Sequence, residues 1–231
     1  MDVSGLQKLT LLDYPGLVAC TVFTGGCNLR CPYCHNASLA LPERARDTIP
    51  EDELLTFLKK RQGLLDGVAV TGGEPLLHNG LPELLAKIKD LGFRVKLDTN
   101  GSFPDRLRAV VEAGLVDRVA MDIKAAPENY ARTTGVPGLD PGPIRESAAF
   151  LLSSCPDYEF RTTCVKGIHT PEDFKAIGKW IAGTREYYLQ DFKDSGDLIQ
   201  GGGLSAFSQT EMEQLADIVR PFVPAVALRG V

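Results

Sequence analysis

Strand-like and helix-like segments alternate along most of this chain, and that alternation limits the folds open to it. Short apolar, β-branched runs fall at 17–23, 67–70, 94–97, 117–123, 158–165, 185–189 and, weakly, 224–228. Helical spacing fits the segments between them, at 81–91, 105–113, 143–152, 171–182 and 209–219. The first helix illustrates the pattern. Thr48 is placed to cap it, Pro50 suits its first turn, Glu51, Asp52 and Glu53 favour the positive end of its dipole, and Leu54, Leu55 and Leu58 share an apolar face. Gly92 and Gly114 follow two of the helices as stop signals. Repeated strand–helix units imply a parallel sheet with right-handed crossovers. About six such units are too few for a closed eight-fold barrel. An open, incomplete barrel or a doubly wound sheet remains.

The unusual residues favour the barrel. The cysteine-rich segment 27–34, Thr71-Gly72-Gly73-Glu74-Pro75, Asp98-Thr99-Asn100-Gly101, Asp122-Ile123-Lys124 and Gln190-Asp191-Phe192 each fall at the C-terminal end of an expected strand. In a barrel those ends share one mouth. Two long connections, 125–141 and 193–205, read either as mobile surface or as covers over that mouth that touch a large partner. The 231 residues are expected to form one domain with its core at about 15–192, followed by a loop, a helix and a weak last strand over 193–231.

Three of the six cysteines, Cys27, Cys31 and Cys34, are crowded on a loop directly after a strand; Cys20, Cys155 and Cys164 are scattered and read as packing residues. A cuboidal iron–sulfur cluster takes four ligands, usually thiolates, so three cysteines leave one iron open to a small chelating molecule. The uneven spacing differs from the paired hooks of structural zinc sites. A zinc site of the three cysteines plus His35 is the competing reading, but His35 directly follows Cys34, which makes joint ligation of one ion awkward. Net charge is −5, with no basic block for nucleic acid or anionic lipid and no apolar run of membrane-spanning length. The start, Met1-Asp2-Val3-Ser4-Gly5, lacks the basic residues and apolar core of a secretion signal, so a cytoplasmic location is expected.

The other strand ends suit a zwitterion. Gly72 and Gly73 let a backbone approach a ligand closely, Asp122 can accept from an ammonium group, and Lys124 can pair with a carboxylate. Each also has a plainer reading as a turn or a surface ion pair. His78 and His169 belong to no motif and receive no role.

The spacing of Cys27, Cys31 and Cys34 resembles the signature of radical S-adenosylmethionine (SAM) enzymes. The wider set is Asp13-Tyr14-Pro15-Gly16, the segment from Cys27 to Asn36, Thr71 to Pro75, Asp98 to Gly101, Met121 to Lys124 and Tyr187 to Phe192. It resembles the glycyl-radical-enzyme activases, above all those acting on anaerobic ribonucleoside-triphosphate reductase, and runs from about residue 5 to 192. The resemblance implies an α/β fold, an incomplete (β/α)6-type TIM barrel of the radical SAM type. It implies one 4Fe–4S cluster on Cys27, Cys31 and Cys34, whose open iron is chelated by SAM, and a 5′-deoxyadenosyl radical that abstracts hydrogen from a glycine Cα of the partner enzyme. By the same resemblance Tyr33, Asn36, Gly72, Gly73, Glu74, Asp98, Asn100, Asp122, Lys124, Arg161 and Gln190 are SAM-binding candidates, with Glu74 ordering its loop and Tyr33 beside adenine. Asp98, Thr99 and Asp122 are candidate ligands of a monovalent cation. Many relatives carry a ferredoxin-like insert after the first motif. Here about 36 residues without cysteine separate Cys34 from Thr71, so the electron is expected from flavodoxin or ferredoxin. Activation of another glycyl radical enzyme, of the pyruvate formate-lyase type, and small-molecule radical chemistry such as that of 7-carboxy-7-deazaguanine synthase are the alternatives within the superfamily. An electron carrier or zinc module lies outside it.

Overall fold

The computed structural model describes residues 1–41, 47–194, 196–200 and 202–231. Its contacts gather into two compact units of interleaved segments. The first holds 1–28, 38–99 and 103–119; the second holds 29–37, 100–102 and 120–231.

In the first unit β1 (Gly5–Thr10) pairs antiparallel with β2 (Ala19–Thr24). After the single turn α1 (Ala37–Ala40) comes α2 (Glu51–Lys59), then β3 (Gly67–Gly72), α3 (Leu81–Asp90), β4 (Arg94–Thr99) and α4 (Pro104–Glu112). β2, β3 and β4 run parallel, with Val22 opposite Val70 and Val70 opposite Leu97. These strands read as continuous apolar runs because a parallel sheet is covered on both faces. Leu54 and Leu58 of α2 and Leu84, Leu85 and Ile88 of α3 have no exposed surface, each worth about 2 kcal/mol of burial. Gly92 and Gly114 take positive φ values of +86° and +68° just past α3 and α4, as expected of helix stops.

One expectation is corrected here, and one element is added. Thr48 does not cap α2: Pro50 occupies the cap position, and the first amide, Glu51 N–H, donates to Asp2 Oδ1 (3.3 Å). The N-terminal segment has folded back and supplied the acceptor. β1 was not foreseen. Its six residues bury only Thr10, so no apolar run marks it, and its hydrogen bonds to β2 hold it. Between β1 and β2, Thr21 donates to Asp13, and the Tyr14 ring lies 3.1 Å from where a Cβ on Gly67 would stand. The Asp13-Tyr14-Pro15-Gly16 motif is thus built into the fold, with Gly67 leaving room for its ring.

The second unit takes most of β5 (Arg118–Asp122), then the one-turn α5 (Tyr130–Thr133), α6 (Gly142–Ser154), β6 (Tyr158–Cys164), α7 (Pro171–Trp180), β7 (Tyr187–Asp191), α8 (Gln209–Val219) and β8 (Val226–Arg229). β6, β7 and β8 are parallel, with Thr163 opposite Gln190 and Gln190 opposite Arg229. Beyond β5, Ile123 N–H donates to Arg161 O (2.8 Å), and Thr162 Oγ1 donates to Ile123 O (2.7 Å). The weak last strand is present as β8. The long connection 125–141 contains α5, whose single turn is too short to mark itself in the sequence. In the other, 193–205, Ser195 and Gly201 lie outside the described residues. Among the described residues, no helix is long and apolar enough to cross a membrane.

Candidate functional site

In the first unit, the loops after β2 and β3 are bound to each other through their backbones. Gly73 N–H donates to Thr24 O, and Glu74 N–H donates to Gly26 O, both at 2.8 Å. A Cβ on Gly73 would stand 1.9 Å from Gly26 O, and Gly72 has φ +117°, a conformation that side-chain-bearing residues rarely adopt. The two glycines are therefore required by the close approach. Glu74 has no exposed surface; its Oε1 accepts from Leu76 N–H (3.1 Å) and from Thr99 Oγ1 (2.8 Å). A buried carboxylate is stable only where donors replace lost water, and here they fix the bend into the turn at Pro75–Leu77. Asp98 is paired with Lys96, two residues back on the same face of β4. Cys27 is half-buried on the loop after β2.

In the second unit, Cys31 is buried and Cys34 half-buried, with Cys34 N–H donating to Cys31 O (2.9 Å). Arg30 N–H donates to Thr134 O (2.9 Å), and a Cβ on Gly135 would meet Arg30 O at 2.3 Å, so α5 and the turn after it support this loop closely. Asn36 is half-buried just before α1. Asn100 is buried; its Oδ1 accepts from Ser102 N–H (2.9 Å) and closes a turn around Gly101.

Asp122, Lys124 and Arg161 form one charged group. Lys124 Nζ lies 2.9 Å from Asp122 Oδ2, and Arg161 donates from Nε to Oδ1 at 3.0 Å. Burial alone would raise the Asp122 carboxyl, but Arg161 and Lys124 outweigh it and hold it well below the usual carboxylate range. Burial alone would lower Lys124; the Asp122 charge outweighs that, and the neighbouring Tyr33 and Cys31 act in the same direction. The end of β5 and the cysteine loop thus share one neighbourhood. All three side chains keep some exposure, 27% for Asp122, 18% for Lys124 and 12% for Arg161, so a ligand can still reach them. Gln190 is half-buried on β7.

Tyr33 is buried, its ring edge-on to His169 at 6.1 Å between centroids, and burial pushes its hydroxyl well above its usual range. Its ring therefore offers little open face to a ligand. The hydroxyl has no hydrogen-bond partner among the described residues. The three cation candidates are already engaged: Asp98 by Lys96, Thr99 by Glu74, and Asp122 by Lys124 and Arg161.

The chemistry of the donor set fits an iron–sulfur cluster. None of the three crowded cysteines is in a disulfide, and all lie on the stretch after β2. Among the described residues, no three His, Cys, Asp or Glu side chains stand close enough to hold a single metal ion. A cuboidal cluster instead presents a separate iron to each thiolate. The scattered cysteines differ in kind. Burial pushes the Cys20 thiol up to about 12 and raises Cys155 and Cys164 as well, which keeps them protonated and unreactive. Lys96 and His78 escaped the sequence reading. Lys96 had one usable signal, its i, i+2 spacing to Asp98 on a strand. His78 had none, because its partner, Gly25 O, is 53 residues away.

Residues 21–181 match the Radical SAM superfamily. The chain is 30% identical over 237 residues to a protein of Methanocaldococcus jannaschii named as a glycyl-radical enzyme activating enzyme, covering 99% of this chain and 96% of that one. It is 37% identical over 118 residues to the 7-carboxy-7-deazaguanine synthase of Methanopyrus kandleri, covering 43% of this chain and 46% of that one. In fold it is similar to SuiB of Streptococcus suis, solved with its precursor peptide SuiA, at TM-score 0.72 and 13% identity, over 91% of this chain and 48% of that one. That likeness agrees with the α/β, incomplete-barrel class expected from the strand–helix repeat.

Proposed function

Because the chain belongs to the radical SAM superfamily, within its glycyl-radical activase family, we propose that it installs the radical on a glycyl radical enzyme, and that this partner is an anaerobic ribonucleotide reductase. When bound, the cluster and SAM would supply one-electron reductive cleavage of the sulfonium bond and abstraction of a hydrogen atom from the glycine Cα, with methionine and 5′-deoxyadenosine as by-products. The chain's own residues bind, orient and shield. Cys27, Cys31 and Cys34 would hold the cluster. The backbone at Gly72 and Gly73 would receive the methionine ammonium group. Lys124 and Arg161, pinned by Asp122, would receive its carboxylate, since both are cationic and keep some exposure to solvent. Asn36, Asn100 and Gln190 would add polar groups to the same site. No general acid or base is required, because the group transferred is a hydrogen atom. A monovalent cation is left out of this reading, since Asp98 and Asp122 already face cationic side chains that offset the charge such an ion would need.

The observation that carries the reading is the three-thiol loop after β2, together with an activase-named relative matched over 96% of its length. The electron donor is a flavodoxin or ferredoxin. The match to the deazaguanine synthase covers less than half of this chain, which favours the activase reading over small-molecule chemistry. The test mixes reduced, reconstituted protein with SAM and candidate glycyl radical enzymes. A glycyl doublet in electron paramagnetic resonance is expected with anaerobic ribonucleotide reductase. A doublet only with a pyruvate formate-lyase changes the partner; turnover of a small substrate with no doublet ends the activase reading.

A further inference from the structure

Three consecutive carbonyls lead into Cys27, and the segment after β3 takes all three. Gly73 N–H takes Thr24 O (2.8 Å), Glu74 N–H takes Gly26 O (2.8 Å), and His78 Nε2 takes Gly25 O (2.7 Å). The chain leaves β2 at Thr24 and bends at Gly26, which has φ +78°; the first and third carbonyls are taken by backbone amides and the middle one by a side chain. A carbonyl only accepts, so His78 Nε2 carries the proton and donates.

His78 is itself held. Its amide donates to Pro75 O (3.1 Å), and Arg106 of α4 donates to Leu76 O (2.8 Å), Leu77 O (2.9 Å) and Asn79 Oδ1 (2.8 Å), fixing the residues on either side of it. Leu77 Cδ2 lies 3.4 Å from where a Cβ on Gly26 would stand. An unbroken set of contacts therefore runs from α4 through this turn to the peptide just before Cys27. It gives a role to a histidine that belongs to no motif.

We propose that His78 is a positioning residue for the Cys27 arm of the site. By gripping Gly25 O it locks the backbone of Gly25, Gly26 and Cys27 to the Gly72-Gly73-Glu74 loop. The first thiol and the peptide groups that receive the SAM ammonium group are then held in fixed register. The inference rests on the cluster-and-SAM reading given above, but its first test needs neither group.

In metal-free protein, H78A raises the alkylation rate of Cys27 severalfold relative to Cys31 and Cys34, followed peptide by peptide by mass spectrometry. After anaerobic reconstitution, H78A retains iron but needs more SAM. KM for SAM rises on the order of tenfold, the size of one hydrogen bond, while the rate of 5′-deoxyadenosine formation at saturation changes much less. H78Q, whose amide can donate from a similar reach, restores both readouts; H78N, which is shorter, does not. Wild-type alkylation and wild-type SAM dependence in H78A overturn the proposal. So does equal loss of thermal stability and iron in H78A and H78Q, which would make His78 a fold residue only. Failure of the wild-type protein to take up a cluster or respond to SAM counts against the proposed function instead, and the alkylation comparison still decides whether His78 governs Cys27.

Discussion

Glu74 in the first unit and Asp122 in the second are both strand-end carboxylates largely withdrawn from water, and the protein treats them in opposite ways. Glu74 is fully buried and, through the bonds described above, takes neutral donors, Leu76 N–H and Thr99 Oγ1. Asp122 keeps 27% exposure and is flanked by two cations, Lys124 and Arg161. The first carboxylate shapes backbone: it fixes the bend that brings Gly73 against Gly26. The second holds two positive side chains at the end of β5 that keep some exposure to solvent. The difference separates two tasks. The first unit sets peptide groups in place, which glycine and buried hydrogen bonds do well. The second concentrates charge, which suits a ligand carrying a carboxylate.

The largest effect expected from this contrast is at Gly73. A methyl group there meets Gly26 O, a backbone atom that cannot swing aside, so Gly73→Ala should cost about 3 kcal/mol in the metal-free protein, read by urea denaturation. A loss under 1 kcal/mol would mean that the two loops can part, and the shaping role of the first unit would fail.

Next comes the paired comparison. Glu74→Ala strands two donors and should cost about 2 kcal/mol, with little dependence on added salt. Asp122→Asn should cost a similar amount, but the deficit should change with ionic strength, because what it leaves behind is two like charges. Equal salt dependence in the two variants would erase the distinction between them.

The smallest effect is in the response to acid. The Asp122 carboxyl sits below its unfolded value of about 3.9, so its contribution is fully present above that pH and is lost as pH falls through the folded value. Asp122→Asn should flatten the acid side of the stability profile below about pH 4 and leave the neutral region parallel to wild type. An unchanged acid limb would show that Asp122 is not held down by its cations.

What the sequence made legible follows the same division. Motifs whose meaning is local could be read directly: the glycines of the loop after β3, the ion pair of Asp122 and Lys124 as the plainer of its two readings, and the helix stops at Gly92 and Gly114. Strand ends could be read because apolar runs stop where polar motifs begin. Features that depend on distant partners could not. Nothing near Thr48 shows that Asp2 supplies the acceptor at the start of α2, and nothing near His78 points to Gly25. β1 escaped because its order comes from pairing with β2 and it has no apolar pattern of its own. Arg161 was placed at the site by resemblance; its bond to Asp122, 39 residues away, is visible only in the fold.

The proposed function requires that Cys27, Cys31 and Cys34 hold a cluster and leave one iron open to an outside ligand. The most direct measurement is electron paramagnetic resonance of the anaerobically reconstituted, reduced protein, recorded with and without SAM. About four irons per chain and a signal that changes shape when SAM is added are predicted, with both lost in Cys27→Ala, Cys31→Ala and Cys34→Ala alike. A cluster whose signal is indifferent to SAM, or one that survives removal of any of the three cysteines, would contradict it.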